Sequence, residues 1–231
     1  MKNNLVVVRA GLDSIHQAWY NHNRNWDLFV SSYDNRLQPD KNQKYFNFTP
    51  GGKYPALYEE LTNFDFKKYN YIWIIDDDIK TNCDNINKFF ELCEEYNLKI
   101  AQPSLTHDSY IAHKITKYVP NSFIRYTNFV EGMVPCFQRD FLVKCLPTFL
   151  SSGCGWGIDY LWQQKLESKW DSAIIDFIQV KHCRKIKFLP EYKIEMEKIL
   201  KENNLNQNHI VYEILYVKGI LDENINQFAI S

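Results

Sequence analysis

The strongest constraint on this chain is Tyr71-Ile72-Trp73-Ile74-Ile75, five apolar residues that run straight into Asp76-Asp77-Asp78. A strand apolar at every position, rather than at alternate ones, has both faces covered, as in parallel sheets sandwiched between helices. Three carboxylates at its end repel one another and need water, a cation or hydrogen-bond donors to compensate. In an extended or turning backbone Asp76 and Asp78 fall on the same side. Such a pair suits a divalent ion, Mg2+ or Mn2+, which prefers oxygen ligands. The plainer account is the acidic first turn of a following helix, where Asp complements the helix dipole.

The surrounding pattern extends the same theme. Leu5-Val6-Val7-Val8 predicts a strand ending at Arg9-Ala10-Gly11, then a helical stretch over 14–20 with Ser14 as N-cap. A second strand is predicted over 26–30, closed by the polar turn at 31–35. Residues 40–49 show no clear period. Gly51-Gly52 leads into a helix over 54–61, with Pro55 in its first turn. Apolar residues at 86, 89, 90 and 93 predict an amphipathic helix over 85–96, returning to a strand at 99–102. This β-α-β-α-β-α-β order predicts an open α/β fold with a mostly parallel central sheet flanked by helices. Ligands of such sheets gather at the carboxyl ends of the strands, where Arg9, Ala10, Asp34 and the three acids fall.

The second half reads as α+β and completes the same sheet, with strands over 122–126, 129–137 and 173–180 and helices over 138–149 and 158–170. From Glu191 two helical patterns follow, split by a polar loop at 203–208. The second carries the stripe Ile210, Ile214, Val217 and Leu221, suited to docking on the core, to a dimer contact or to a membrane surface.

Composition excludes several classes. Lys plus Arg is 27 and Asp plus Glu 28, a net charge of −1, so no bulk attraction to nucleic acid or anionic lipid is encoded. No apolar run reaches the ~18–20 residues of a spanning helix. Leu5 to Val8 is too short for the core of a secretory signal, which places the expected location in the cytoplasm. The six cysteines (83, 93, 136, 145, 154 and 183) show no C-x-x-C pair or zinc spacing and read as reduced and mostly buried.

Three further segments carry chemistry. Ser151-Ser152-Gly153-Cys154-Gly155-Trp156-Gly157-Ile158-Asp159 is a glycine-rich loop entering a helix. Asp159 suits a general base for an acceptor hydroxyl and Trp156 a platform for a sugar ring; the plainer account is a helix-start Asp and a core Trp. Glu131 is a lone acid in an apolar segment, so its burial would demand a polar partner or ligand. His182 ends a strand-like run and suits a metal site begun by carboxylates elsewhere. Lys181, Arg184, Lys185 and Lys187 beside it form either a phosphate contact or a solvated face. The histidines at 16, 22, 107, 113 and 209 read as surface or satisfied core.

Taken in order, these blocks resemble the GT-A superfamily of nucleotide-sugar-dependent glycosyltransferases: an apolar strand with D-x-D, then Ala101-Gln102-Pro103-Ser104, Phe129-Val130-Glu131-Gly132-Met133-Val134-Pro135, Gly155-Trp156-Gly157-Ile158-Asp159 and a strand ending in His182. They are most similar to the glycosyltransferase-like domain-of-unknown-function family 707, over residues 4–185. The resemblance implies a GT-A-like (Rossmann-like) catalytic domain over 1–188, with a nucleotide-binding half to about residue 105 and an acceptor half after it. A helical extension over 189–231 follows. It implies that Asp76, with Asp77 beside it, contacts the ribose or donor sugar, that Asp78 and His182 hold Mn2+ or Mg2+, and that Asp159 is the base of an inverting reaction. Glu131 and Trp156 would then bind sugar, Arg9, Ala10 and Asp34 the nucleotide, and Lys53 a phosphate. The implied activity is metal-dependent transfer from a nucleoside-diphosphate sugar, UDP-sugars first, to a hydroxyl of a glycan acceptor, as in polysaccharide biosynthesis. Two other readings stay open: a haloacid-dehalogenase-like phosphatase with Asp76 as nucleophile and Asp78 as acid, and a non-catalytic sugar- or nucleotide-binding module.

Overall fold

Every residue of strand β1 (Asn4–Ala10) is buried, the apolar run Leu5–Val8 together with the polar Asn4 and Arg9 that flank it. It lies between two parallel partners, β2 (Trp26–Ser32) and β4 (Tyr71–Asp76). The computed structural model describes residues 2–185 and 188–205, together with the backbone of 214–219. Strand β3 (Tyr45–Phe48) extends the parallel stretch beyond β2, in a segment whose sequence has no strand period. The helix expected over 14–20 is instead a loop with one 3-10 turn, His16–Ala18. The Ile15 N–H donates to the Asp77 carbonyl at 2.9 Å and the Trp19 indole to the Ile79 carbonyl at 2.7 Å, ties that hold the segment against the end of β4.

Helix α1 (Lys53–Thr62) and helix α2 (Cys83–Glu95) stand where the periodicity put them. Asn82 caps α2, its side chain accepting the Asn85 N–H at 2.9 Å. Side chains alternate across the central strands, so each feeds two cores. Val6, Val8, Trp73 and Ile75 face Phe89 and Phe90 of α2. Leu5, Val7, Ile72 and Ile74 face Leu57 and Leu61 of α1 together with Phe149 and Trp162.

Beyond β4 the sheet changes hand. The short strands are β5 (Ile79–Lys80), β6 (Ile100–Leu105), β7 (Ser122–Thr127) and β8 (Cys136–Gln138), followed by the long β9 (Ser172–His182). With β10 (Ile214–Gly219) the order is β10-β7-β9-β6-β8-β4-β1-β2-β3, and β5 pairs with β9. β8 sits between β4 and β6, antiparallel to both, so the mostly parallel sheet expected from the βα alternation is interrupted here. β6 and β9 are parallel, whereas β7–β9, β10–β7 and β5–β9 are antiparallel. The sheet is thus parallel in its first half and mixed in its second.

The remaining helices are shorter than their apolar patterns suggest. Helix α3 (Arg139–Cys145) gives way to a 3-10 turn at Leu146–Leu150, and helix α4 (Ile158–Gln163) covers only the first part of 158–170. Helix α5 (Pro190–Glu202) confirms the first helix of the tail. The second is corrected: residues 214–219 form a strand on β7, whose open edge offers backbone partners that override the helical spacing of Ile214 and Val217. Ile210 and Leu221, the other members of that stripe, lie outside the described residues. An ion pair holds this half together. Arg125 on β7 grips both oxygens of Asp176 on β9 at 2.6 and 2.9 Å and also donates to the Ile115 and Lys117 carbonyls. Among the described residues no helix is long and apolar enough to cross a membrane. Four of the six cysteines are buried and all six are free.

Candidate active site

At the carboxyl end of β4 the three acids part company. Asp76 faces a cleft of 480 Å³, its side chain 34% exposed, and its Oδ1 accepts from Lys53 Nζ at 2.5 Å. Burial in the cleft pushes its carboxyl up, against the pull of Lys53. Asp77 turns the other way. Its Oδ2 accepts the Gly11 N–H and the Tyr33 hydroxyl, both at 3.0 Å, and its Oδ1 accepts from Arg184 at 2.8 Å. Arg184 also donates to the Asp13 carbonyl, so Asp77 ties the loops after β1 and β2 to the end of β9. Asp78 meets His182, with Oδ2 and Nε2 3.2 Å apart, because Ile79 of β5 pairs with His182 of β9. His182 Nδ1 lies 2.8 Å from the Tyr110 carbonyl, which can only accept, so Nδ1 carries hydrogen and Nε2 is turned to Asp78. Burial pulls the imidazole pKa down, but the bond to Asp78 and its charge, together with the Tyr110 carbonyl and the charge of Asp76, outweigh it and leave the pKa raised. A nitrogen and an oxygen donor therefore converge at one point. Among the described residues no three His, Cys, Asp or Glu side chains gather closely enough to hold an ion on their own. The pair fits an ion that keeps waters and substrate phosphates in its shell.

Lys53, Asp76, Glu131, Trp156 and Asp159 line one cleft, although the sequence scatters them over more than a hundred positions. Lys53, at the start of α1, also donates to the Gly132 and Met133 carbonyls at 2.9 and 3.2 Å. Asp159, in the first turn of α4, accepts the Tyr160 N–H at Oδ1 (3.1 Å) and the Gly132 N–H at Oδ2 (3.3 Å). Burial raises its pKa to about 6, with those amides pulling the other way. Glu131 is buried, its Oε2 has no hydrogen-bond partner, and burial followed by the charge of Asp159 pushes it up to about 8. Two glycines let the walls meet. A Cβ on Gly52 would stand 1.9 Å from the Gly153 carbonyl oxygen, so the loop before α1 touches the glycine-rich loop backbone to backbone. Gly157, at φ +92°, turns that loop into α4.

The other sequence candidates lie outside this cleft. Arg9 is buried and spends its guanidinium on Ser31 Oγ and on the carbonyls of Ser32, Thr49 and Gly51. Ala10 is buried opposite Ser32 in the β1–β2 ladder. Asp34 holds Arg36 in its own turn. Sequence reading missed three contributors. Gln102 accepts the Glu131 N–H at 2.6 Å and so fixes the acid's backbone. The buried Tyr54 donates to the Gly132 carbonyl. His113, read as surface or core, stands in the cleft wall, where burial depresses its pKa to about 4 and keeps it neutral. Of the three, Gln102 lies in the Ala101-Gln102-Pro103-Ser104 block on which the resemblance rests, where it was given no role of its own.

Residues 65–128 match the family described as "Protein of unknown function (DUF707)". No curated protein matches the chain by sequence. Similar folds occur among solved glycosyltransferase structures. S. aureus TarS superposes with a TM-score of 0.51 at 11% identity, over 90% of this chain and 41% of that one. S. aureus TarS 1–349 in complex with UDP-GlcNAc gives 0.52 at 12%, over 90% and 69%. GalNAc-T7 with UDP, GalNAc and Mn2+ gives 0.58 at 8%, over 86% and 48%. This chain spans less than half the length of the first TarS chain and of the GalNAc-T7 chain that it matches. It has the GT-A fold that these enzymes share.

Proposed function

From that fold we propose that this protein is a metal-dependent transferase moving a sugar from a nucleoside-diphosphate sugar, UDP-sugars first, to a hydroxyl of a glycan acceptor. The observation that carries the reading is the meeting of Asp76, Glu131 and Asp159 in one cleft with the Asp78–His182 pair beside it. Asp78 and His182 would hold Mn2+ or Mg2+, which when bound neutralises charge on the departing diphosphate. Lys53, paired with Asp76, would bring a positive charge to a donor phosphate, and Asp76 would offer its carboxylate to ribose or sugar hydroxyls.

Asp159 acts as the base. With a pKa of about 6 it is ionised at neutral pH and still basic enough to accept a proton. It takes the proton of the acceptor hydroxyl as that oxygen bonds to the anomeric carbon. The bond from carbon to the diphosphate oxygen breaks on the opposite face, giving inversion. Glu131 keeps its proton at neutral pH, so it meets sugar hydroxyls as a neutral acid and does not compete as a second base. Trp156 offers a ring face to the C–H side of a sugar. No observation favours the phosphatase or the purely binding alternative.

The test is calorimetric titration of UDP, GDP, TDP, CDP and ADP, with and without Mn2+, into the wild-type chain and Asp78→Asn. One nucleotide should bind only with Mn2+, and the variant should lose it. Binding of none by the wild type, or unchanged binding by the variant, would overturn the reading.

A further inference from the structure

Helix α5 lies beyond the sequence blocks that suggested the activity, yet it builds one wall of the cleft. Phe188, just before it, and Met196, within it, line the cleft beside Trp156 and Asp159. The Trp156 ring meets those of Phe188 and Tyr192 at centroid distances of 5.1 and 5.7 Å. Met196 covers the turn into α4: a Cβ on Gly157 would stand 3.1 Å from Met196 Cγ. Between these contacts Glu195 reaches the backbone of the glycine-rich loop. Its Oε1 accepts the Gly153 N–H and its Oε2 the Cys154 N–H, the latter at 3.4 Å. Burial would raise the Glu195 carboxyl, but the Cys154 thiol and these two amides more than offset it and hold the pKa low.

Three other polar contacts of the loop lie within it, Gly155 N–H to Ser152 Oγ, Trp156 N–H to Cys154 Sγ and Ser152 Oγ to Cys154 Sγ. They shape the loop without fixing it to the sheet. From outside, the Thr148 carbonyl accepts the Ser151 N–H at its start, Gly52 presses on one side, Tyr54 packs under Gly155, and the Glu195 carboxylate grips two successive amides in its middle. A carboxylate accepting from successive amides is a charge-assisted clasp, stronger than neutral hydrogen bonds.

We propose that Glu195 is a positioning residue for the acceptor side of the cleft, clasping the 151–157 loop so that Trp156 and Asp159 keep their places. The geometry stands by itself; the catalytic consequence rests on the transferase reading. The test uses the full chain as wild type, Glu195→Ala, Glu195→Gln and Ile194→Ala, the last altering a neighbour that is 66% exposed. Hydrogen exchange in 151–157 should speed up roughly tenfold or more in Glu195→Ala, with loss of two bonds to a charged acceptor. Glu195→Gln, which keeps one acceptor oxygen, should fall between. Ile194→Ala and the strands β1 and β4 in every variant should be unchanged. UDP binding with Mn2+ should persist in Glu195→Ala. Turnover of a bound UDP-sugar, with water or methyl glycosides as acceptor, should drop about tenfold or more in kcat with donor KM unaltered. Unaltered exchange in 151–157, a uniform rise that includes β1 and β4, or a fall in turnover expressed only through donor KM would overturn the proposal. A wild-type chain that binds no nucleotide would count against the transferase reading, and the exchange comparison would still decide the clasp.

Discussion

Replacing Asp159 by Asn should weaken the reaction and strengthen the fold, and the two effects have one cause. The carboxyl is buried, and its pKa rises from the ordinary 3.8 to about 6 because folding strips water from its charged form. A raised pKa means that the folded state binds the proton more tightly than the unfolded chain. The stability this group contributes is therefore fully present below 3.8 and is lost as the pH climbs through 6. The rise of roughly two pH units corresponds to about 3 kcal/mol carried as a penalty at pH 7.5. Asn removes the charge but satisfies only one of the two amides, Gly132 and Tyr160, that the carboxylate accepts, which returns about 1 kcal/mol. The net expectation is a gain of about 2 kcal/mol at pH 7.5 that vanishes or reverses at pH 3.5. Urea unfolding at both values reads it directly. Transfer by the variant should fall by roughly 10²–10⁴, the usual worth of a general base, while nucleotide binding persists. A loss of stability equal at both pH values would refute the burial argument, and near-normal transfer would remove Asp159 from the chemistry.

Other expectations follow from single contacts. Transfer by the wild type should rise with pH around a midpoint near 6 as Asp159 ionises, read from kcat/KM between pH 4.5 and 7.5. Glu131, raised to about 8, contributes stability that is present below 4.5 and lost as pH rises through 8, so Glu131→Gln should gain on the wild type between pH 6 and 9 in denaturant titrations. Arg125→Met strands the buried Asp176 charge and should cost about 3–5 kcal/mol; the double variant with Asp176→Leu should recover most of it in urea unfolding. Gly52→Ala forces a methyl group onto the Gly153 carbonyl oxygen and should lower stability by about 1–3 kcal/mol, with faster exchange confined to the two glycine loops.

The readable part of the fold was the part governed by local pattern. Apolar runs, unbroken in β1 and β4 and interrupted only by Asp27 in β2, identified these strands, the spacing of Ile86, Phe89, Phe90 and Cys93 identified α2, and their alternation gave the parallel half of the sheet. The acids after β4 and Asp159 at the start of α4 stood out for a similar reason. Charge beside a buried strand or a glycine-rich turn is conspicuous in one dimension. Where the pattern misled, a partner distant in sequence had the deciding voice. Ser14 to Tyr20 lost its helix to ties with Asp77 and Ile79, and residues 214–219 exchanged a helical stripe for the edge of β7.

Sequence alone therefore determined which residue types this protein brings to its strand ends: acids after an apolar strand, a histidine closing another, a carboxylate after glycines. Only the tertiary structure decided how they divide the work. Asp76 opens to the cleft, Asp77 is consumed in holding loops together and Asp78 is aimed at His182, although the three are consecutive and chemically identical. The reason is that a side chain's role is set by the burial and partners at its own atoms. Those partners, 104 residues along the chain in the case of Asp78 and His182, are brought near only when β5 and β9 pair.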